Sequence, residues 1–488
     1  MRKRKLMVIA LFSMALLGGG NLLAGGSSTK GQTPKEEAIR WIDDHQSLLV
    51  DLSDKIWGYA ELALEESKSS KLLADVLEEA GFRVERGVAG MPTAFVATYG
   101  EGEPVIGLLA EYDALPGLSQ KVSSTKEVLK EGAPGHGCGH NLLGVGCVGA
   151  ALAVKEVLAA NPASGTIKLF GCPAEETLVG KVYMVKYGVF DGLSAALTWH
   201  PSATTKVSNT SSLAMNSFWV EFRGKTAHGA GDPWNGRSAL DAVELMDYGV
   251  NLMREHMELT SRIHYVITEG GKAPNVVPEY ARVWYYVRDA TREKVGKLYQ
   301  RVLNIAEGAA LATETTHQVH LITGVYNKLV NETGVKIMQR NLELVGPPPF
   351  SPEEVTFAKE IQRRAGKPEE GLEGEIKPIR EPPQIVGGGS TDVADVSWIT
   401  PAVSLNVATN PKGVPGHSWA VVASSGSTIG HKGMLVAAKT LATTAIELLY
   451  NEELLEQMKK EWKEKTRGFT YKSPLPEGRK SPLPTQLR

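Results

Sequence analysis

Through the first part of the chain, short runs that are apolar on both faces alternate with helical stretches. Residues 105–110, 166–170 and 195–198 read as strands, and residues 67–80 and 142–160 as helices. Strands with no polar face need cover on both sides, and helices between them supply it. The pattern therefore predicts an α/β sandwich built on a mostly parallel sheet. Ligands of such sheets collect outside the carboxyl ends of the strands, where Glu111, Asp113, Glu175, Glu176 and His200 fall.

Between residues 211 and 326 the texture changes. The order strand, helix, strand, strand, helix, strand is that of a split βαβ, ferredoxin-like (α+β) unit. It reads as a second domain inserted into the first, with 33–210 and 327–465 as the two parts of the larger one. A capping box opens the folded body, with Thr33 as cap, Pro34 in the first turn and Glu36 closing back. The Pro-rich stretch 347–383 reads as a charged connection. The tail 466–488 repeats Lys-Ser-Pro-Leu-Pro and reads as extended, without chemistry of its own.

A formal net charge of -2 over 488 residues gives no reason to expect nucleic acid or an anionic membrane as partner, and favours a small molecule. The first 26 residues differ in kind. Arg2 to Lys5 precede an apolar run and then small residues, the pattern of a cleaved export signal. The run is short of the ~20 residues that a spanning helix needs. An exported, periplasmic or secreted protein is expected. Of the three cysteines, Cys147 and Cys172 read as small buried apolar residues, with a disulfide between them as the alternative.

Cys138 has another use. In Gly-His-Gly-Cys-Gly-His-Asn, residues 135–141, Cys138 and His140 stand two apart and can reach one ion from the same side, while the glycines clear a close approach to it. Downstream, Pro173-Ala-Glu-Glu supplies adjacent carboxylates and Thr198-Trp-His supplies another imidazole. Neighbours on a regular strand face opposite ways. If Glu175 and Glu176 are to serve one site, an irregular turn is needed, and Pro173 provides for one. Thiolate, imidazole and carboxylate together suit Zn²⁺ by softness and also accept Mn²⁺.

Leu109-Ala-Glu-Tyr-Asp-Ala-Leu-Pro, the glycine turn, Pro-Ala-Glu-Glu, Thr-Trp-His, Gly-Lys-Thr-Ala-His, Pro-Asn-Val-Val-Pro and Gly-Gly-Ser-Thr-Asp occur in one order. As a set they resemble the dinuclear metal amidohydrolases of the aminoacylase and carboxypeptidase type, over nearly everything from residue 34 to about 450. The resemblance implies two divalent ions, held by Cys138, His140, Glu176, His200 and His417, with Glu175 as general base and Asp113 orienting it. For the last ligand, His417 and His431 compete, and the family context favours His417. Glu111 stays outside the ligand set, and His136 is expected to support it as a hydrogen-bond donor. The resemblance further implies that His228 of the inserted domain reaches the site of a second copy in a homodimer, where it stabilises the oxyanion. Asn275 would hold the substrate carbonyl and Arg288 its carboxylate, for which the guanidinium fork is suited. The implied activity is hydrolysis of a small-molecule amide, an N-acyl amino acid with an aroyl group such as aminobenzoyl-glutamate, and a second kind of subunit is allowed. A dipeptidase or N-acyl amino acid deacylase on the same scaffold is the alternative within enzymes. A binding protein that has lost its site is the alternative outside them.

Overall fold

The computed structural model describes residues 31–161, 165–382, 386 and 388–486. The expected export signal lies outside them. The strands in chain order are β1 (Arg83–Arg86), β2 (Phe95–Glu101), β3 (Val105–Glu111), β4 (Gly165–Cys172), β5 (Ala195–Ser202), β6 (Lys206–Val207), β7 (Ala214–Arg223), β8 (Arg262–Glu269), β9 (Tyr280–Asp289), β10 (Thr316–Val325) and β11 (Ala402–Ala408). Seven of them form one sheet in the order β1-β2-β4-β3-β5-β11-β6. Its centre, β4-β3-β5-β11, is parallel, and antiparallel strands finish both edges.

Helix packing explains why the centre can be apolar throughout. The helix His140–Ala160 is buried almost all round, as is Thr428–Tyr450, and both pack under the sheet with Pro34–Asp44 and Gln46–Tyr59. These two helices are long and apolar enough to cross a membrane, but their apolar windows are 83% and 78% buried inside the protein, so they are its core. The helix Thr428–Tyr450 is followed at once by Glu452–Lys465, the two parted at Asn451, whose side chain caps the second.

The inserted unit is a four-stranded antiparallel sheet, β10-β7-β9-β8, covered by the helices Ala239–Met253 and Arg292–Ala312. Strand β9 alternates strictly, with odd positions buried against these helices and even positions on the other face. That other face carries Trp284, Tyr286 and Arg288, and Arg288 reaches Ser390 of the larger domain.

Two expectations about irregular segments need correction. The stretch 347–383 contains the helix Pro352–Arg364, opened by a capping box of Ser351 and Glu354 that passes unnoticed among its prolines. The tail is attached: Leu475 is buried, Tyr471 donates to Asp395, and Lys186 Nζ donates to the carbonyls of Pro476 and Arg479. The cysteine alternative is also resolved, since Cys147 and Cys172 are buried free thiols.

Between β4 and the helix Gly180–Lys186 the chain turns sharply, with Ala174 and Leu178 in the left-handed region. A Cβ on Gly180 would lie 1.8 Å from the Pro173 carbonyl oxygen. Gly180→Ala must therefore displace the backbone that carries Glu175 and Glu176, at a cost of about 1–3 kcal/mol. The variant is expected to melt several degrees below the wild type and to lose activity; an unchanged melting curve refutes this account of the turn.

Candidate metal and catalytic centre

Every residue that forms the centre stands at or just beyond the carboxyl end of a strand in the parallel core, or in the turn that faces those ends. Glu111 ends β3, with Asp113 just past it. Glu175 and Glu176 follow β4, His200 lies near the carboxyl end of β5, and His417 follows β11. Cys138 and His140 come from the turn that starts the helix His140–Ala160. Gly139 stands there at φ +77°, a conformation that a side chain resists, and a Cβ would meet Pro201 at 2.9 Å. At Gly135 a Cβ would lie 2.4 Å from the Leu118 carbonyl oxygen. At these two positions the glycines let the turn seat against neighbouring chain, a different reason from the close approach to metal expected of them.

Potential ligand atoms gather in three groups, each within 4.8 Å: Cys138, His140 and His200; Cys138, Glu176 and His417; and Glu111, His140 and Glu175. The first two share the Cys138 sulfur, which lies 3.4 Å from His200 Nε2. His417 Nε2 is 3.5 Å from Glu176. The five residues named as ligands from the sequence are therefore brought together. His431 is elsewhere, with Nε2 2.8 Å from Asp54, so of the two competing histidines only His417 stands in this group. His136 is fully buried, its Nε2 3.0 Å from the Ile56 carbonyl, and burial pushes it down to about 4, which keeps it neutral.

Asp113 is buried and accepts from His140 Nδ1 at 2.8 Å and from the Glu176 backbone N–H at 2.9 Å. It thus orients one ligand side chain and the backbone of another, and its hydrogen bonds go to these rather than to the Glu175 carboxylate. The sequence reading that left Glu111 aside missed part of the arrangement. Glu111 Oε2 lies 3.4 Å from His140 Nε2, and Glu111 Oε1 pairs at 2.8 Å with Lys181. Lys181 is wholly buried and also pairs with Asp392 at 2.5 Å. A lysine beginning a short helix five residues past a catalytic-type carboxylate pair carries no signal by itself, and only the sheet order shows that it meets both acids. Glu66, likewise unsuspected, accepts the Ala174 N–H and steadies the turn from below.

Electrostatics test whether cations fit here. Burial, then the charges of Glu111 and Asp392, push Glu175 well above the usual carboxylate range, and burial carries Glu176 up to about 7. The Cys138 thiol is pushed up by burial and by Glu176, and burial lowers His200 and His417. His140 Nε2 and Glu176 Oε1 are buried without a hydrogen-bond partner. Soft and borderline donors, short of protein partners and crowded with negative groups, are what bound divalent ions satisfy.

Asn275 and His228 lie side by side on the exposed far end of the inserted unit, where the Gly229 N–H donates to the Asn275 carbonyl and Val276 bridges His228. Among the described residues neither has a hydrogen bond to the ligand group. Arg288 faces the larger domain. Its Nε is buried and unpartnered, and among the described residues it makes no ion pair.

Comparison with known proteins agrees with this architecture. Residues 212–314 match the peptidase dimerisation domain of the M20 type. The chain is 40% identical to the B subunit of p-aminobenzoyl-glutamate hydrolase from Escherichia coli, over 93% of this chain and 100% of the relative. It is 29% identical to the Xaa-Arg dipeptidase of Mus musculus, over 88% and 92%. Among solved structures, an aminobenzoyl-glutamate utilization protein from Klebsiella pneumoniae aligns with a TM-score of 0.60 at 18% identity, over 84% of this chain and 97% of that one. A dinuclear metal-binding M20 peptidase from Bacillus subtilis aligns at 0.51 and 17%, over 82% and 99%. The fold and site define a metal-binding hydrolase of amide bonds. The chain belongs to the M20 peptidase family, in the group of the p-aminobenzoyl-glutamate hydrolase B subunit.

The geometry distinguishes the two histidines experimentally. His417→Ala and Cys138→Ser are each expected to lower the metal content that survives dialysis, because a hydroxyl is a far poorer ligand than a thiolate. His431→Ala should retain it. Elemental analysis that finds full occupancy in the first two, or loss in the third, refutes the assignment.

Proposed function

We propose that the protein hydrolyses the amide bond of an N-acyl amino acid carrying an aroyl group, of the aminobenzoyl-glutamate kind, with two divalent ions, Zn²⁺ or Mn²⁺. The observation that carries this reading is the pair of overlapping ligand trios that share Cys138, beside Glu175 at the carboxyl end of the parallel core. Bound divalent ions supply an acidified water and polarise the scissile carbonyl. Glu175 takes the proton of the attacking water and delivers it to the leaving nitrogen. Its buried setting, beside Glu111 and Asp392, raises its affinity for that proton. Lys181 offsets the charge of both these acids, and Asp113 keeps His140 in one orientation.

Arg288 binds the substrate carboxylate. Its unpartnered Nε and the absence of an ion pair among the described residues support this, since a buried guanidinium calls for an anion. Asn275 holds the scissile carbonyl and His228 stabilises the oxyanion in the centre of a second copy. Support for a homodimer comes from the matched dimerisation domain, the edge strand β8 with its exposed Val266, and the exposed Tyr248 and Leu252 of the helix Ala239–Met253. A second kind of subunit is the other assembly that the relatives' names raise. A dipeptidase is the second reading, favoured by the similarity to the Xaa-Arg dipeptidase. Export through residues 1–26 completes the proposal; a mature protein that still begins at Met1 outside the cytoplasm contradicts cleavage.

Glu175→Gln should keep metals and fold and lose ~10²-fold or more in turnover. Near-wild-type hydrolysis of every member of a panel of N-benzoyl, N-acetyl and dipeptide substrates by this variant removes Glu175 as base. Mixing inactive Glu175→Gln with inactive His228→Ala protein should restore part of the activity by exchange of protomers. A wild type that is active while monomeric by light scattering refutes the shared site.

A further inference from the structure

A cavity of about 430 Å³ opens beside Glu176. Its walls come from three parts of the chain that are remote in sequence: Leu62 and Leu115 of the larger domain, Trp284 and Tyr286 of the inserted sheet, and Pro484 near the end of the tail. Trp284 and Tyr286 pack edge to face, their ring centres 5.6 Å apart, and the Trp284 indole N–H is satisfied by Ser217. What they turn to the cavity is therefore apolar surface. Proline closes such a wall well, because it brings no backbone N–H that would be buried unpaired.

The tail is held in place to do so. Tyr326 donates to the Lys472 carbonyl at 3.0 Å, Tyr471 to Asp395 at 2.7 Å, and Lys186 clamps the carbonyls of Pro476 and Arg479 at 2.7 and 2.9 Å. Leu475 is buried between these ties. The chain then runs on to the short turn Pro484–Gln486 at the mouth of the cavity.

Trp284, Tyr286 and Arg288 follow one another at alternate positions on one face of β9, each step about 6.5–7 Å. The guanidinium lies 5.4 Å from the Tyr286 ring centre. One face thus offers an anion-binding end and a flat apolar end, with Glu176 beside the latter. About 150 Å³ is enough for a benzene ring, so this cavity holds a ring together with the atoms that join it to an amide.

We propose that the C-terminal tail is part of the binding site: Pro484 closes the pocket that receives the acyl group, and with Trp284 it selects flat apolar acyl groups over small ones. The proposal rests on the amide-hydrolase reading given above and adds the determinant of acyl selectivity. Binding separates the two. In the Glu175→Gln background, in which turnover is expected to be slowed ~10²-fold or more, calorimetric titration with N-benzoylglutamate and N-acetylglutamate compares the full chain with Trp284→Ala, with Pro484→Asp and with a chain ending at residue 482. Each change is expected to weaken N-benzoylglutamate about tenfold and to leave N-acetylglutamate within about twofold. Pro484→Asp keeps the whole chain and the ties at Tyr471, Lys472, Pro476 and Arg479, so its result stands even where the shortened chain is unstable. Unchanged preference for benzoyl over acetyl in Pro484→Asp, or equal weakening of both ligands, overturns the proposal. Selective benzoyl binding in a protein whose wild type hydrolyses neither compound leaves the pocket standing and removes the hydrolase reading.

Discussion

Asp113 is the contact on which the centre depends. Its two oxygens join the His140 imidazole to the backbone N–H of Glu176, and so tie the turn after β4, which carries the carboxylates, to the turn that starts the helix His140–Ala160, which carries the thiol and imidazole. The His140 imidazole, followed by the Glu176 N–H, offsets the cost of burying it and holds it below the usual carboxylate range. A charge kept inside a protein needs such partners, and here the partners are themselves parts of the machinery. Loss of this one side chain frees both arms at once.

Around that tie the protein accumulates more negative groups than it neutralises. Glu66, Glu111, Asp113, Glu175, Glu176 and Asp392 are all buried or nearly so, and Lys181 is the single wholly buried lysine among the described residues that pairs with any of them. Burial and mutual repulsion raise most of these acids, so without further positive charge the group retains protons. Divalent cations resolve the imbalance by replacing those protons, which links metal affinity to pH and makes the site a sink for cations.

Much of this could be read from the residues. Apolar runs with no polar face predicted the parallel core, and the order of strands and helices between residues 211 and 326 predicted the inserted unit. The ligand residues were legible because they sit in glycine and proline turns at strand ends. What was not legible depends on distance along the chain. Lys181 meets Asp392 across 211 residues, and Glu111 becomes part of the centre only because β3 lies between β4 and β5. The tail shows the same limit in another form: its repeated prolines read as an extended stretch without a role, while its attachment rests on Tyr326, Asp395 and Lys186, which no local pattern connects to it.

The late position of β11 has a consequence for how the protein is made. Strand β11 sits inside the sheet, between β5 and β6, yet follows the whole inserted unit in sequence, and Asp392 and His417 flank it. Parallel pairing across so long an interval is slow to form. The inserted unit closes its own sheet within residues 214–325 and does not wait for β11. Ligands from both halves therefore meet only when the last central strand docks. Of the three ligand groups only the one completed by His417 waits on this strand, so its occupancy reports chains that have finished folding, whereas the other two are drawn wholly from the first half.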